Sequence, residues 1–115
     1  MEQLFLRNET SAANIPLERI LSLEVKDYYL VCHTVCGKDF CCSKPLNEIE
    51  GELPPYFIRI NRNTIVNLQK VRLVDFKERT IFMNEKLAYQ LAVRRMKAIR
   101  KAINEYEAFR RDIGE

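Results

Sequence analysis

The apolar residues of this chain keep two different periods, and the switch falls at Val93. From there on Met96, Ile99, Ile103, Tyr106, Phe109 and Ile113 recur every three or four residues, the spacing of a helix with one apolar face. That stripe covers about two heptads, too short to require a coiled coil. Its first half is expected to pack on the body of the domain. Its second half is left open between packing, a dimer contact and the join to a partner.

Before Val93 the apolar residues come in short runs rich in β-branched and aromatic types, separated by turn residues. Leu4-Phe5-Leu6 is the first run, closed by the polar turn Asn8-Glu9-Thr10-Ser11. Ile15 to Ile20 reads as a helical turn, because proline suits a first helical position. Ile20 to Val25 and Tyr28 to Val35 read as strands, and Asp39 to Ser43 returns after the turn Cys36-Gly37-Lys38 as a hairpin partner. Lys44 to Leu53 reads as one short helix, with Leu46, Ile49 and Leu53 on one face and Pro54-Pro55 as its stop. Strands are expected again at Val71 to Phe76, Thr80 to Met83 and Leu87 to Leu91. The fold class is therefore mainly β, built from antiparallel strands with one short inner helix and a C-terminal helix.

A chain of 115 residues suits one domain. Residues 1–103 are read as that domain, and 104–115 as an extension of its last helix. No stretch approaches the ~20 apolar residues that cross a bilayer. The N-terminus lacks a basic start and an apolar run, so the cytoplasm is the expected compartment, with no membrane contact.

Charge is unevenly placed. Residues 1–52 carry five Lys/Arg against nine Asp/Glu, residues 53–101 carry twelve against three, and residues 102–115 carry two against four. A net +9 concentrated in the middle of the chain is the footprint of a polyanion binder, although a solvated basic face explains it equally well.

Catalysis finds little support. The single histidine, His33, adjoins Cys32 in a predicted strand, where neighbours point to opposite faces and cannot pair. Cys41 or Cys42 could reach it across the hairpin, but no third group orients such a pair. The four cysteines, Cys32, Cys36, Cys41 and Cys42, lack zinc spacing and are read as buried or half-buried thiols on two neighbouring strands. No metal, cofactor or enzymatic activity is expected.

The segment Phe57-Ile58-Arg59-Ile60-Asn61-Arg62-Asn63-Thr64-Ile65-Val66-Asn67 is the most informative. It alternates large apolar residues with Arg and Asn. Arg forks onto guanine or phosphate and Asn pairs with the edge of adenine, so side chains held between the anchors Phe57, Ile60, Ile65 and Val66 could read DNA. Asn67 as a turn cap and Arg59 in an internal ion pair are plausible structural alternatives. They fit Asn61-Arg62-Asn63 less well.

This string resembles the signature of the LytTR family, in which a Phe-x-Arg-x-His-Arg-Ser-like stretch leads into an apolar pair and Asn. Ile15-Pro16-Leu17-Glu18-Arg19-Ile20 resembles that family's I-P-L-x-x-I motif, and Ala92-Val93-Arg94-Arg95 resembles its closing V-S-R-R. Leu46 to Leu53 matches its inner helix and Val71 to Phe76 the strand after the signature. The likeness runs over about residues 3–103 in one order.

It implies an elongated arrangement of small antiparallel sheets that binds double-stranded DNA without a helix-turn-helix. Loops would enter successive major grooves, on repeated half-sites. Carried over by position, the contacts would come from the segment Lys26-Asp27-Tyr28-Tyr29, from Asn61, Arg62 and Asn63, and from Arg94 and Arg95. Beyond the resemblance, Lys97, Arg100 and Lys101 extend this basic cluster along the helix, where phosphate contact and a solvated face explain them equally well. Arg62 is the foremost base-reading residue. Asn61 and Asn63 stand where the family commonly has His and Ser, which alters the expected DNA sequence. Ala92 stands where Ser is frequent, removing one phosphate donor. Relatives usually carry this domain behind a phosphorylated receiver or a membrane segment, so the chain is expected to be a stand-alone regulator or an excised output domain, monomeric or homodimeric. An RNA-binding β-domain using Tyr28, Tyr29 and Tyr56, or a protein-interaction module using the last helix, remain the alternatives.

Overall fold

A computed structural model describes residues 2–112. Ten strands form three antiparallel sheets. β1 (Gln3–Arg7) pairs with β2 (Ala12–Pro16) as a separate hairpin. The central sheet has five strands, β3 (Ile20–Lys26), β4 (Tyr29–Thr34), β5 (Phe40–Cys42), β6 (Phe57–Asn61) and β7 (Thr64–Asn67), in the order β5-β4-β3-β7-β6. The third sheet holds β8 (Leu73–Asp75), β9 (Thr80–Phe82) and β10 (Ala88–Gln90), with β9 central. Helix α1 spans Leu46–Glu50 and helix α2 spans Met96–Asp112.

Strand alternation divides the side chains of the central sheet between two cores. Leu23, Leu30, Cys32, Cys42, Phe57 and Ile65 face the β1–β2 hairpin and α1, meeting Leu4, Leu6, Ile15, Leu46 and Ile49. Leu21, Ile60 and Val66 face the other way, meeting Ile81, Met83, Tyr89 and Leu91 of the third sheet and Ile99 of α2. The molecule is thus layered, with the five-stranded sheet in the middle. Two register shifts accompany this division. One between Ile20 and Ser22 sends Leu21 into the second core, and one between Arg59 and Asn61 falls at Ile60, which shares that core with Ile58 two residues before it.

Several sequence expectations are refined. The proline of Ile15-Pro16 does not open a helix. It ends β2, and the helical turn is a 3-10 turn over Leu17–Arg19. That strand shows little alternation and escapes sequence reading because it is held by its partner, from Leu4 opposite Ile15 to Arg7 opposite Ala12. The inner helix is shorter than Lys44 to Leu53, since Pro45 precedes its first turn and Gly51 follows its last residue. The thiols divide by position. Cys32 and Cys42 are buried, whereas Cys36 sits in the β4–β5 turn and Cys41 points outward, so both are exposed. Burial pushes the Cys32 thiol up to about 12, whereas the hydrogen bond shared with the Thr34 hydroxyl lowers exposed Cys36.

The terminal helix packs as its period implied over its first half. Ile99 is buried and Met96 and Ile103 are partly buried against the second core. Each such side chain contributes about 1.5–3 kcal/mol when fully buried. The side chain of Phe109 and all of Ile113 lie outside the described residues.

Candidate nucleic-acid interface

The β6–β7 hairpin turns at Arg62-Asn63, and its geometry follows from how its polar residues are used. Arg59 donates from Nη1 to Asn47 Oδ1 and to Glu50 Oε1, both at 2.8 Å, on α1. Its Nε donates to the carbonyl of Asn61 at 3.0 Å and its Nη2 to the carbonyl of Arg62. One guanidinium therefore ties the helix to the entry of the turn, the internal role foreseen as its alternative. At the base of the hairpin, fully buried Asn67 donates to the carbonyls of Ile20 (2.9 Å) and Leu17 (3.4 Å) and accepts from the Gln69 amide at 2.9 Å. Asn67 is a structural brace.

Asn61 also works inside the protein. Its Oδ1 accepts from the Asn63 amide at 2.8 Å, shaping the turn, and its Nδ2 donates to the Gln90 carbonyl at 2.8 Å. The side chains of Arg62 and Asn63 face solvent, and no described residue bonds to either side chain. The consequence is a rigid turn with two unengaged polar side chains at its tip.

Backbone hydrogen bonds set this tip in a row of neighbours. On one side the Val25 amide donates to the Asn63 carbonyl at 2.8 Å, which places the β3–β4 turn next to it. That turn presents Lys26, Tyr28 (91% exposed) and Tyr29 (59%). Asp27 within it has a left-handed backbone, φ 56°. On the other side Asn61 holds Gln90, and the Ala92 amide donates to the Ile60 carbonyl at 2.9 Å. The chain leaving β10 is thereby fixed beside the tip before it enters the 3-10 turn Val93–Arg95. Arg94 is exposed there and Arg95 half-exposed, with Lys97 exposed one turn on. No described residue pairs with Arg94, Arg95 or Lys97. The three groups named from sequence thus lie on consecutive, mutually bonded segments.

Two of the cations near Lys97 are engaged elsewhere. The Arg100 guanidinium lies 4.0 Å from the centre of the Phe76 ring, and Lys101 reaches Glu105 at 3.9 Å on the helix surface.

Sequence reading missed the network beneath the β3–β4 turn. His33 Nε2 lies 2.6 Å from Glu24 Oε1 and its Nδ1 lies 2.8 Å from Asp39 Oδ2. Glu24 also meets Lys26 at 3.8 Å and the Tyr89 hydroxyl at 3.4 Å, and that hydroxyl lies 2.7 Å from buried Ser22. Burial pushes the Tyr89 phenol up. The network joins the central sheet to the third sheet. His33 therefore meets carboxylates, not Cys41 or Cys42. The missing signal was the inward parity that Ser22 and Glu24 share on β3.

Among the described residues no group of three or more His, Cys, Asp or Glu side chains is arranged to hold a metal ion. A cavity of about 360 Å³ opens between α2 and the base of the β6–β7 hairpin, lined by Pro55, Tyr56, Leu68, Ala102 and Tyr106. It holds no histidine or thiol.

The chain matches the family model of the LytTr DNA-binding domain over residues 11–104, and it belongs to that LytTR family. Domains of this family bind DNA. A solved structure shares the fold: the LytTr DNA-binding domain of a Bacillus cereus protein assigned as a methyl-accepting/DNA response regulator. It superposes with a TM-score of 0.76 at 20% identity, covering 90% of this chain and 97% of that one. No curated protein sequence matches the chain. No helix among the described residues is long and apolar enough to cross a membrane.

Proposed function

We propose that this domain binds double-stranded DNA in a sequence-specific manner and regulates transcription, as the output part of a signalling system. One observation carries the reading. The turns of two hairpins and the exit of β10 stand side by side, bonded to one another, and present exposed cationic and polar side chains in a row, of which Lys26 alone meets an acid, Glu24. In this reading Arg62 reads base edges with its forked donors. Asn63 and Arg94 flank it, and Lys26, Tyr28, Tyr29, Arg95 and Lys97 hold the sugar–phosphate backbone. Asn61 acts as a positioning residue, because both ends of its amide are engaged by the protein.

Entry into successive major grooves requires contacts about 34 Å apart along the duplex. The longest dimension of the molecule is 41 Å, and each copy is taken to occupy one half-site of a repeated pair.

The test is selection of bound sequences from a randomised duplex pool, followed by fluorescence anisotropy on the selected duplex and on a random one. Wild type is expected to enrich a motif and to lose affinity steeply between ~50 and ~200 mM salt. Arg62→Ala is expected to lose about 1–3 kcal/mol of the preference for the selected duplex, five- to more than a hundred-fold, with little change on the random one. Equal behaviour of Arg62→Ala and wild type on both duplexes removes Arg62 from base reading. If single-stranded RNA competes better than duplex, the nucleic acid is misassigned.

A further inference from the structure

The row of bonded segments does not end at the exit of β10. The Leu91 amide donates to the Arg79 carbonyl at 2.7 Å, and Arg79 Nη1 reaches back to the Leu91 carbonyl at 3.4 Å. The turn joining β8 to β9, Lys77-Glu78-Arg79, is therefore the next segment along the same edge. It lies on the far side of the β10 exit from Arg62. Its neighbour on the helix side is Arg100, stacked on Phe76 immediately before it.

This turn is held in one shape. Asp75 Oδ1 accepts from the Glu78 amide at 2.9 Å, and the Thr80 hydroxyl donates to the Glu78 carbonyl at 3.1 Å. Arg79 has a left-handed backbone, φ 51°, one of two non-glycine residues in that region among the described residues. The other is Asp27, in the turn at the opposite end of the row. Arg79 is occupied by Leu91, whereas Lys77 is exposed and no described residue pairs with it. Arg100, stacked on Phe76, adds a second cation beside the turn, which itself carries the acids Asp75 and Glu78.

We propose that the Lys77-Glu78-Arg79 turn is a further DNA-contacting element, in which Lys77 grips a backbone phosphate flanking the groove entered by Arg94, and Arg79 positions the turn. The inference rests on the DNA-binding reading above and extends its footprint by one segment. A lysine ammonium is a point charge suited to phosphate and carries no base code, so the contact contributes affinity without sequence preference.

The same sheet supplies the control. Lys86 lies in the β9–β10 turn, at the end of the sheet away from Leu91, and is likewise exposed. Lys77→Ala and Lys86→Ala remove one charge each from exposed turns and are expected to leave the thermal midpoint near wild type. Anisotropy is measured from ~50 to ~200 mM KCl on the selected duplex and on a random duplex. Lys77→Ala is expected to weaken binding to both by about five-fold at the lowest salt and to reduce the slope of log K against log salt by about 0.9, while Lys86→Ala changes neither. Equal losses for both variants would mean a general effect of net charge and overturn the proposal. So would unchanged binding by Lys77→Ala, or a loss confined to the selected duplex. If in the same series Arg62→Ala still loses its preference, the DNA-binding reading survives that failure. If wild type binds neither duplex, both fall together.

Discussion

The β6–β7 hairpin and the first turns of α2 are both rich in cations, yet the protein treats them in opposite ways. In the hairpin Arg59, Asn61 and Asn67 are each bonded to the protein through several atoms, and only at the tip are the side chains of Arg62 and Asn63 left unengaged. On the helix Lys97 has no described partner and Lys101 has one surface ion pair at 3.9 Å. A side chain that discriminates bases must be held in place, because a misplaced fork loses the second hydrogen bond. A side chain that holds phosphate tolerates freedom, because charge attraction is weakly directional. On the proposed function, the difference separates a region built to read from a region suited to grip.

The comparison breaks most severely at the base of the hairpin. Asn67→Ala would leave the Ile20 carbonyl without its partner in a buried site and the Gln69 amide without its partner in a part-buried one. Each unsatisfied group costs about 1–3 kcal/mol, so a loss near 3 kcal/mol is expected from urea denaturation, with both kinds of DNA binding declining only as the protein unfolds. A midpoint close to wild type would show that the hairpin does not depend on this brace.

Arg59→Ala sharpens the comparison at lower cost. Its side chain is 10% exposed and its partner Glu50 is 44% exposed, so the ion pair itself is partly screened. The expected stability loss is about 1–2 kcal/mol, mostly from the unpaired carbonyls of Asn61 and Arg62. The functional effect should be selective. Loosening the turn should weaken the selected duplex several-fold while the random duplex is held almost as before. Arg59→Lys should not restore it, because an ammonium lacks the planar set of donors that spans Asn47, Glu50 and the turn. A uniform loss on both duplexes would mean that Arg59 does not orient the tip.

These same residues mark what the sequence could reveal. The strands, the two-period pattern and the anchors Phe57, Ile60, Ile65 and Val66 were legible, since burial in a sheet leaves a period that single residues record. The family was legible because its motifs fall in one order along the chain. β2 was not, because its pairing with β1 is decided by a partner at long range and its own residues barely alternate. The division of labour within Arg59-Ile60-Asn61-Arg62-Asn63 was only half legible. Sequence marked the string as polar between anchors. The register shift at Ile60 and the acceptors on α1 and Gln90 decide which of its side chains remain unengaged, and neither is written locally. The Glu24–His33–Asp39 network was missed for a related reason: its members come from β3, β4 and the β4–β5 connection, and only folding brings them together.

The smallest effect is expected on the helix. Lys97→Ala removes an exposed charge with no described partner, and alanine has the higher helix propensity, so stability should stay within ~0.5 kcal/mol of wild type. If Lys97 holds a phosphate, the salt slope on the selected and random duplexes should shrink by the same ~0.9, and the preference between them should stay as in wild type. Lys97→Arg should keep the slope, since charge and not a particular fork is what the contact needs. That tolerance is the property the hairpin lacks, where Arg59→Lys is expected to fail. A changed preference between the two duplexes in Lys97→Ala would mean that the helix also reads sequence, and that rigidity of the surrounding contacts does not separate the two regions.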